Sequence, residues 1–197
     1  MNKKIIISSI VILIVVVVAG GFFWWRQGRE IKGSPEDYVI METAEGIFVE
    51  NKKAGLSVKV PEGWEVEKME MQEGLIVFYS PNVEGEIRDD KVVPPLREGC
   101  IIHVSVIYEG KDITQLKLEA RYNLALLGVK SAEFEEVMIN NYEALKIIAD
   151  TEKIGPGVGV DISHKDKTYS FLLIFTPEER GVCIQEFDKF LETISIK

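Results

Sequence analysis

The stretches VMINNYEALKIIA, residues 137–149, and VGVDISHKDKTYSFLLIF, residues 158–175, decide the fold. In the first, residues 137–139 and 142–149 are apolar runs parted by Asn140 and Asn141, a pair that tolerates the left-handed angles of a tight hairpin. In the second, residues 158–163 and 168–175 flank a polar turn at residues 164–167. Consecutive hairpins predict an antiparallel sheet, and such a sheet needs amphipathic elements to cover its apolar faces.

Working outward, residues 100–108 form a further strand, with Ile102, Val104 and Val106 on one face and His103 and Ser105 on the other. A helix follows. Asp112 can cap it with Gln115 as reciprocal partner, and Ile113, Leu116, Ala120, Leu124 and Leu127 recur at helical spacing up to Gly128. Residues 116–123 also alternate, but the helix-forming composition and the terminal glycine favour the helix. A second helix spans residues 183–194, with Ile184, Phe187, Phe190, Leu191 and Ile194 as its apolar stripe. Upstream, Phe48 and Glu50, then Leu56, Val58 and Val60, mark two short strands around a turn at residues 51–55, and Pro61 ends the second. After Trp64 come a charged connection, a strand over residues 75–80, and a 19-residue loop, residues 81–99, long enough to be functional or mobile. Residues 26–45 contain Gly33, Ser34 and Pro35, show little periodicity and read as a tether. Residues 46–197, about 150 in all, are the length of one α+β domain.

Residues 5–25 carry no charge and only Ser8 and Ser9 as hydroxyls. As a helix they reach roughly 30 Å, the thickness of a bilayer core, and predict a single transmembrane helix acting as a signal-anchor. Lys3 and Lys4 precede the run, and Phe22, Phe23, Trp24 and Trp25 close it at the headgroup level. A basic N-terminus of residues 1–4 places that end in the cytoplasm and the domain on the extracytoplasmic side, although Arg26, Arg29 and Lys32 pull the other way. Cleavage at Gly20 after Val17 and Ala19 is the competing reading. The first 99 residues hold no cysteine for a lipoprotein anchor, and the run lacks the early acidic residue of a filament subunit.

Charge divides the chain. Residues 1–32 hold five Lys/Arg and one Glu, or +4; since the whole chain has 23 basic and 32 acidic residues, the remainder has 18 against 31, or −13. Such a surface repels nucleic acid and anionic headgroups, so neither is an expected partner of the domain. Solubility accounts for the acidic surface, and a cation or a basic protein partner is the alternative.

The chemical inventory is sparse. There are two histidines, and no GxSxG, HExxH, phosphate-binding glycine motif or CxxC. His103 and Ser105 share a strand face without an evident orienting acid. Asp161, His164 and Asp166 cluster near a turn and offer hard or mixed metal ligands, though such spacing is common by chance and turn chemistry explains Asp166 as well as a metal does. Glu84, Glu86, Asp89 and Asp90 offer oxygen ligands without the spacing of a calcium loop. No catalytic, cofactor-binding or metal residue is assigned, and no cofactor is expected. Cys100 and Cys183 either bridge or stand as two small buried hydrophobes.

Residues 47–64, IFVENKKAGLSVKVPEGW, resemble the start of PsbP-like domains, in which a strand, a turn, a second strand and a Pro-x-Gly-Trp corner lead into the sheet. The later order of strand, helix, antiparallel strands and C-terminal helix ending in Ile194, Ser195 and Ile196 is similar too. The resemblance covers residues 47–197 and implies a PsbP/Mog1-type α/β/α sandwich, with helices on both sides of an antiparallel sheet. Most proteins of that kind are accessory or binding modules and few are enzymes. It implies an accessory module with a protein partner, not an enzyme; the alternative is an extracytoplasmic hydrolase using His103 or the His164 cluster.

Overall fold

A computed structural model describes residues 33–69, 75–88 and 91–197. The expected transmembrane helix and its orientation lie outside the described residues, as do Asp89 and Asp90. Among the described residues no helix is long and apolar enough to cross a membrane.

In chain order the strands are β1 (Tyr38–Thr43), β2 (Gly46–Asn51), β3 (Leu56–Lys59), β4 (Glu65–Met69), β5 (Leu75–Tyr79), β6 (Glu84–Arg88), β7 (Lys91–Glu98) and β8 (Cys100–Ile107). Helix α1 (Ile113–Leu127) comes next, then β9 (Val129–Ile139), β10 (Tyr142–Thr151), β11 (Gly155–His164), β12 (Lys167–Phe175), α2 (Arg180–Glu192) and β13 (Ser195–Ile196). Seven strands form an antiparallel sheet in the order β4-β5-β8-β12-β11-β10-β9, and four more form a small sheet ordered β1-β2-β3-β13. This is the expected α+β architecture of antiparallel sheets with two helices.

Strand periodicity sorts the two faces of the large sheet. Ile102, Val104, Val158, Val160, Ile162, Phe171 and Leu173 enter the main core with Cys183, Phe187, Phe190 and Leu191 of α2 and with Val49, Leu56 and Val58 of the small sheet. The opposite face carries His103, Ser105, Gly157, Gly159, Asp161, Ser170 and Leu172, and α1 and the β6–β7 hairpin cover it. Helices therefore flank the sheet on both sides. Phe190 anchors the main core, its ring edge-on to Phe78 at 5.2 Å and stacked on Phe187 at 6.3 Å. Three hydrogen bonds tie the small sheet and the C-terminus to the rest. Tyr169 Oη donates to Ala54 O at 2.7 Å, Tyr142 Oη to Ile196 O at 2.8 Å, and Lys59 N to Thr193 Oγ1 at 3.1 Å.

Asn140 and Asn141 adopt φ of +48° and +69°, the left-handed turn expected of them. Asn140 does more: its Nδ2 donates to the carbonyls of Leu191, Glu192 and Ile194 at 3.0, 3.2 and 3.0 Å, satisfying the open end of α2. Cys100 and Cys183 are bonded, with Cα atoms 6.0 Å apart, which resolves their pairing.

Several boundaries are corrected. The tether read over residues 26–45 contains a 3-10 turn at Pro35–Asp37 and strand β1, paired with β2 along its length from Tyr38↔Asn51 to Thr43↔Gly46. The domain thus begins ahead of residue 46, and buried Tyr38 belongs to its core. The loop expected over residues 81–99 is the β6–β7 hairpin, whose Val92 and Leu96 pack with Leu75, Val77 and Ile174. The charged connection after Trp64 is strand β4, and β9 starts at Val129 rather than residue 137.

Candidate functional site

Helix α1 forms where the sequence calls for it. Asp112 Oδ1 accepts from Gln115 N at 2.8 Å, Gln115 Oε1 accepts from Asp112 N at 3.1 Å, and Gly128 closes the helix at φ +73°. Its inner side presents Leu116, Ala120, Leu124 and Leu127 to the sheet. The strand beneath, β11, places apolar Val158, Val160 and Ile162 in the main core and Gly155, Gly157 and Gly159 under α1. A row of hydrogen atoms faces the helix where side chains would otherwise fill the layer. The outcome is a cavity of about 220 Å³ between α1 and strands β10 to β12.

The glycines differ in what holds them small. A Cβ on Gly157 would lie 2.8 Å from the Leu173 carbonyl oxygen, so the neighbouring backbone excludes it. On Gly159 it would meet Ile147 at 3.8 Å, an ordinary contact, so the space there is open to a larger residue.

One end of the cavity is apolar, with Leu124, Leu127, Ile147, Ala149, Ile154 and Leu172; the other is polar. There Ser170 Oγ donates to Asp161 Oδ1, and Lys111 Nζ meets Glu119 Oε2 at 2.6 Å. Lys111 is positioned by the loop it stands on: Lys111 N donates to Ser163 Oγ at 3.2 Å, and Thr168 Oγ1 donates to Glu109 O at 2.8 Å. Burial pushes the Asp161 carboxyl above the usual carboxylate range; the Ser170 hydroxyl and the Lys111 ammonium pull it back, and Glu119 adds to the rise.

The outer side of α1 is also apolar. Leu118, Tyr122 and Leu126 recur every four residues and are 71, 67 and 55% exposed. Arg121 lies over the Phe134 ring at 5.4 Å, and Lys117 pairs with Glu136 at 2.6 Å, so the cations beside this stripe are turned toward β9.

The residues singled out from sequence are dispersed. Asp161 and His164 are three apart on one strand and so face opposite sides of the sheet; His164 packs edge-on to Tyr142 at 5.1 Å, and Asp166 sits exposed in the turn, where Lys167 lowers its carboxyl. Among the described residues no group of three His, Cys, Asp or Glu is placed to hold one metal ion. His103 stands between Val77 and Leu172, and burial lowers its imidazole to about 4. Ser105, Ser170 and Asp161 share the α1 face with it, but β12 lies between His103 and Asp161. Glu84 and Glu86 lie on β6. Sequence reasoning passed over Ser170, Lys111 and the alternate glycines. The signal for the last was present, since glycine at every second position of GPGVG strips one face of a strand.

No family model matches the chain, and no curated protein matches it. Among solved structures it is similar to the cyanobacterial PsbP protein CyanoP from Synechocystis, with a TM-score of 0.45 and 14% identity, covering 76% of this chain and 91% of that one. It is also similar to a Pseudomonas aeruginosa protein of unknown function, with a TM-score of 0.46 and 11% identity, covering 81% of this chain and 97% of that one.

Proposed function

We propose that the chain is a PsbP-like accessory module, held by residues 5–25 on the extracytoplasmic side of a membrane, that binds a protein partner through the outer face of α1. The observation that carries this reading is the exposed stripe of Leu118, Tyr122 and Leu126, three large apolar side chains aligned on a helix already packed on its other side. A net charge of −13 over residues 33–197 favours a partner with basic groups around an apolar ridge. The PsbP-like assignment rests on the β2–turn–β3 segment running into Pro61, Gly63 and Trp64, and on the order of elements after it. The bridge between Cys100 and Cys183 supports an oxidising compartment. Anchoring would hold the module near a membrane partner at high effective concentration.

The test is a pull-down from detergent-solubilised membranes with the tagged full-length chain, wild type against Leu118→Ser/Tyr122→Ser. At least one protein retained by wild type should be lost by the variant while its thermal midpoint is unchanged. Identical partner lists for the two chains, or none beyond empty beads, would contradict the reading. The alternative, an extracytoplasmic hydrolase, draws on Ser105, His103 and Asp161 sharing one face. It requires His103 and Asp161 to meet across the width of β12.

A further inference from the structure

The cavity beneath α1 has a shape and a charge that name a ligand class, independently of what meets the outer face of the helix. Its volume of about 220 Å³ exceeds the roughly 150 Å³ of an apolar cavity known to take a benzene ring. Its far end is mainly apolar, and the one hydroxyl there, Thr151 Oγ1, donates to Gly155 O at 3.3 Å. Its near end holds an excess of negative charge. Lys111 Nζ is engaged by Glu119 at 2.6 Å and also lies 3.9 Å from Glu109, so one cation faces two carboxylates before Asp161 is counted. Ser170 donates to Asp161 Oδ1, and among the described residues Oδ2 accepts no hydrogen bond.

The polar end is therefore short of a cation with protons to donate. We infer that the cavity between α1 and strands β10 to β12 binds a small amphipathic primary amine, its apolar body against Leu124, Ile147 and Leu172 and its ammonium on Asp161. A neutral isostere would leave Asp161 only the Lys111 ammonium, already paired with Glu119, and an anion would meet the carboxylates of both Glu119 and Asp161. Hydrogen bonds to charged groups are stronger than neutral ones by enough to separate these cases.

The experiment is calorimetric titration of the purified full-length chain with 2-phenylethylamine, 2-phenylethanol and 3-phenylpropanoate, in wild type, Asp161→Asn and Gly159→Val. Gly159→Val serves as the blank, because its side chain fills the cavity from a strand position that accepts a β-branched residue. Wild type should bind the amine about tenfold or more tighter than the alcohol, and the carboxylate more weakly still. Asp161→Asn should bring amine and alcohol within about twofold of each other, and Gly159→Val should weaken both about tenfold or more. Equal affinities in wild type, an amine preference that survives Asp161→Asn, or binding undiminished in Gly159→Val would each overturn the inference. Two variants at the same cavity, one altering charge and one altering space, keep a folding defect in either from deciding the outcome.

Discussion

Reducing the Cys100–Cys183 bridge without changing any residue isolates the cross-link from packing, because both sulfurs stay in the main core. The bonded residues are 83 apart in sequence. In the chain-entropy account a loop of that length, left open, gives the unfolded chain freedom worth about 4.5 kcal/mol. The bridge joins the start of β8, an inner strand of the large sheet between β5 and β12, to the first turn of α2, so both ends are held by other contacts in the native state. The reduced protein should therefore fold to the same structure with lower stability. For a domain of this size the loss corresponds to a fall in thermal midpoint of about 10 °C or more, and with a urea slope of ~2 kcal/mol/M to a midpoint shift of about 2 M. Urea denaturation with and without reductant, followed by far-ultraviolet circular dichroism, reads this directly. A non-reducing peptide map should link Cys100 to Cys183. Coincident denaturation midpoints, or two alkylatable thiols in the untreated chain, would refute the reasoning.

Two further perturbations test the packing account. His103 is held neutral by burial, its imidazole lowered from 6.5 to about 4; the unfolded chain takes up its proton first, so native stability falls as pH drops from about 6.5 to about 4. The loss is at most about 3 kcal/mol. His103→Leu should remove that slope, and denaturation curves at several pH values that run parallel for the two proteins would contradict it. Asn140→Ala should destabilise by about 2 kcal/mol through the lost bonds to the end of α2 and the greater strain of alanine than of asparagine at φ +48°. Asn140→Gly loses the same bonds without the strain, and chemical denaturation finding alanine no worse than glycine would count against this role.

What the sequence revealed and concealed has a common cause. Strands buried on one face and paired on both edges, such as β11 and β12, alternate cleanly because each residue meets a defined layer. Helix α1 was legible from its ends, since Asp112, Gln115 and Gly128 each have a backbone reason to be there. Edge strands were not. In β1, Val39 and Ile40 are exposed beside buried Tyr38, and in β9 the run from Val129 to Glu136 is mostly exposed, so no period-2 pattern is imposed on either. The β6–β7 hairpin hid behind its prolines, residues tolerated at the margins of a two-stranded ribbon. At the candidate site, Asp161 was grouped in sequence with His164 and Asp166 near a turn, without being assigned as a metal ligand, and a spacing of three on a strand sends Asp161 and His164 to opposite faces. Its actual partners, Ser170 on β12 and Lys111 before α1, are long-range in sequence, and only strand register brings them together.

The central claim, that α1 presents its outer face to a protein partner, is tested most directly by photo-crosslinking in intact membranes. The full-length chain carries p-benzoylphenylalanine in place of Tyr122 or, as control, in place of Asp188, an exposed residue of α2 on the other side of the large sheet. The account predicts one discrete protein adduct from position 122 and none from position 188. No adduct at position 122, or the same adduct from both positions, would contradict it.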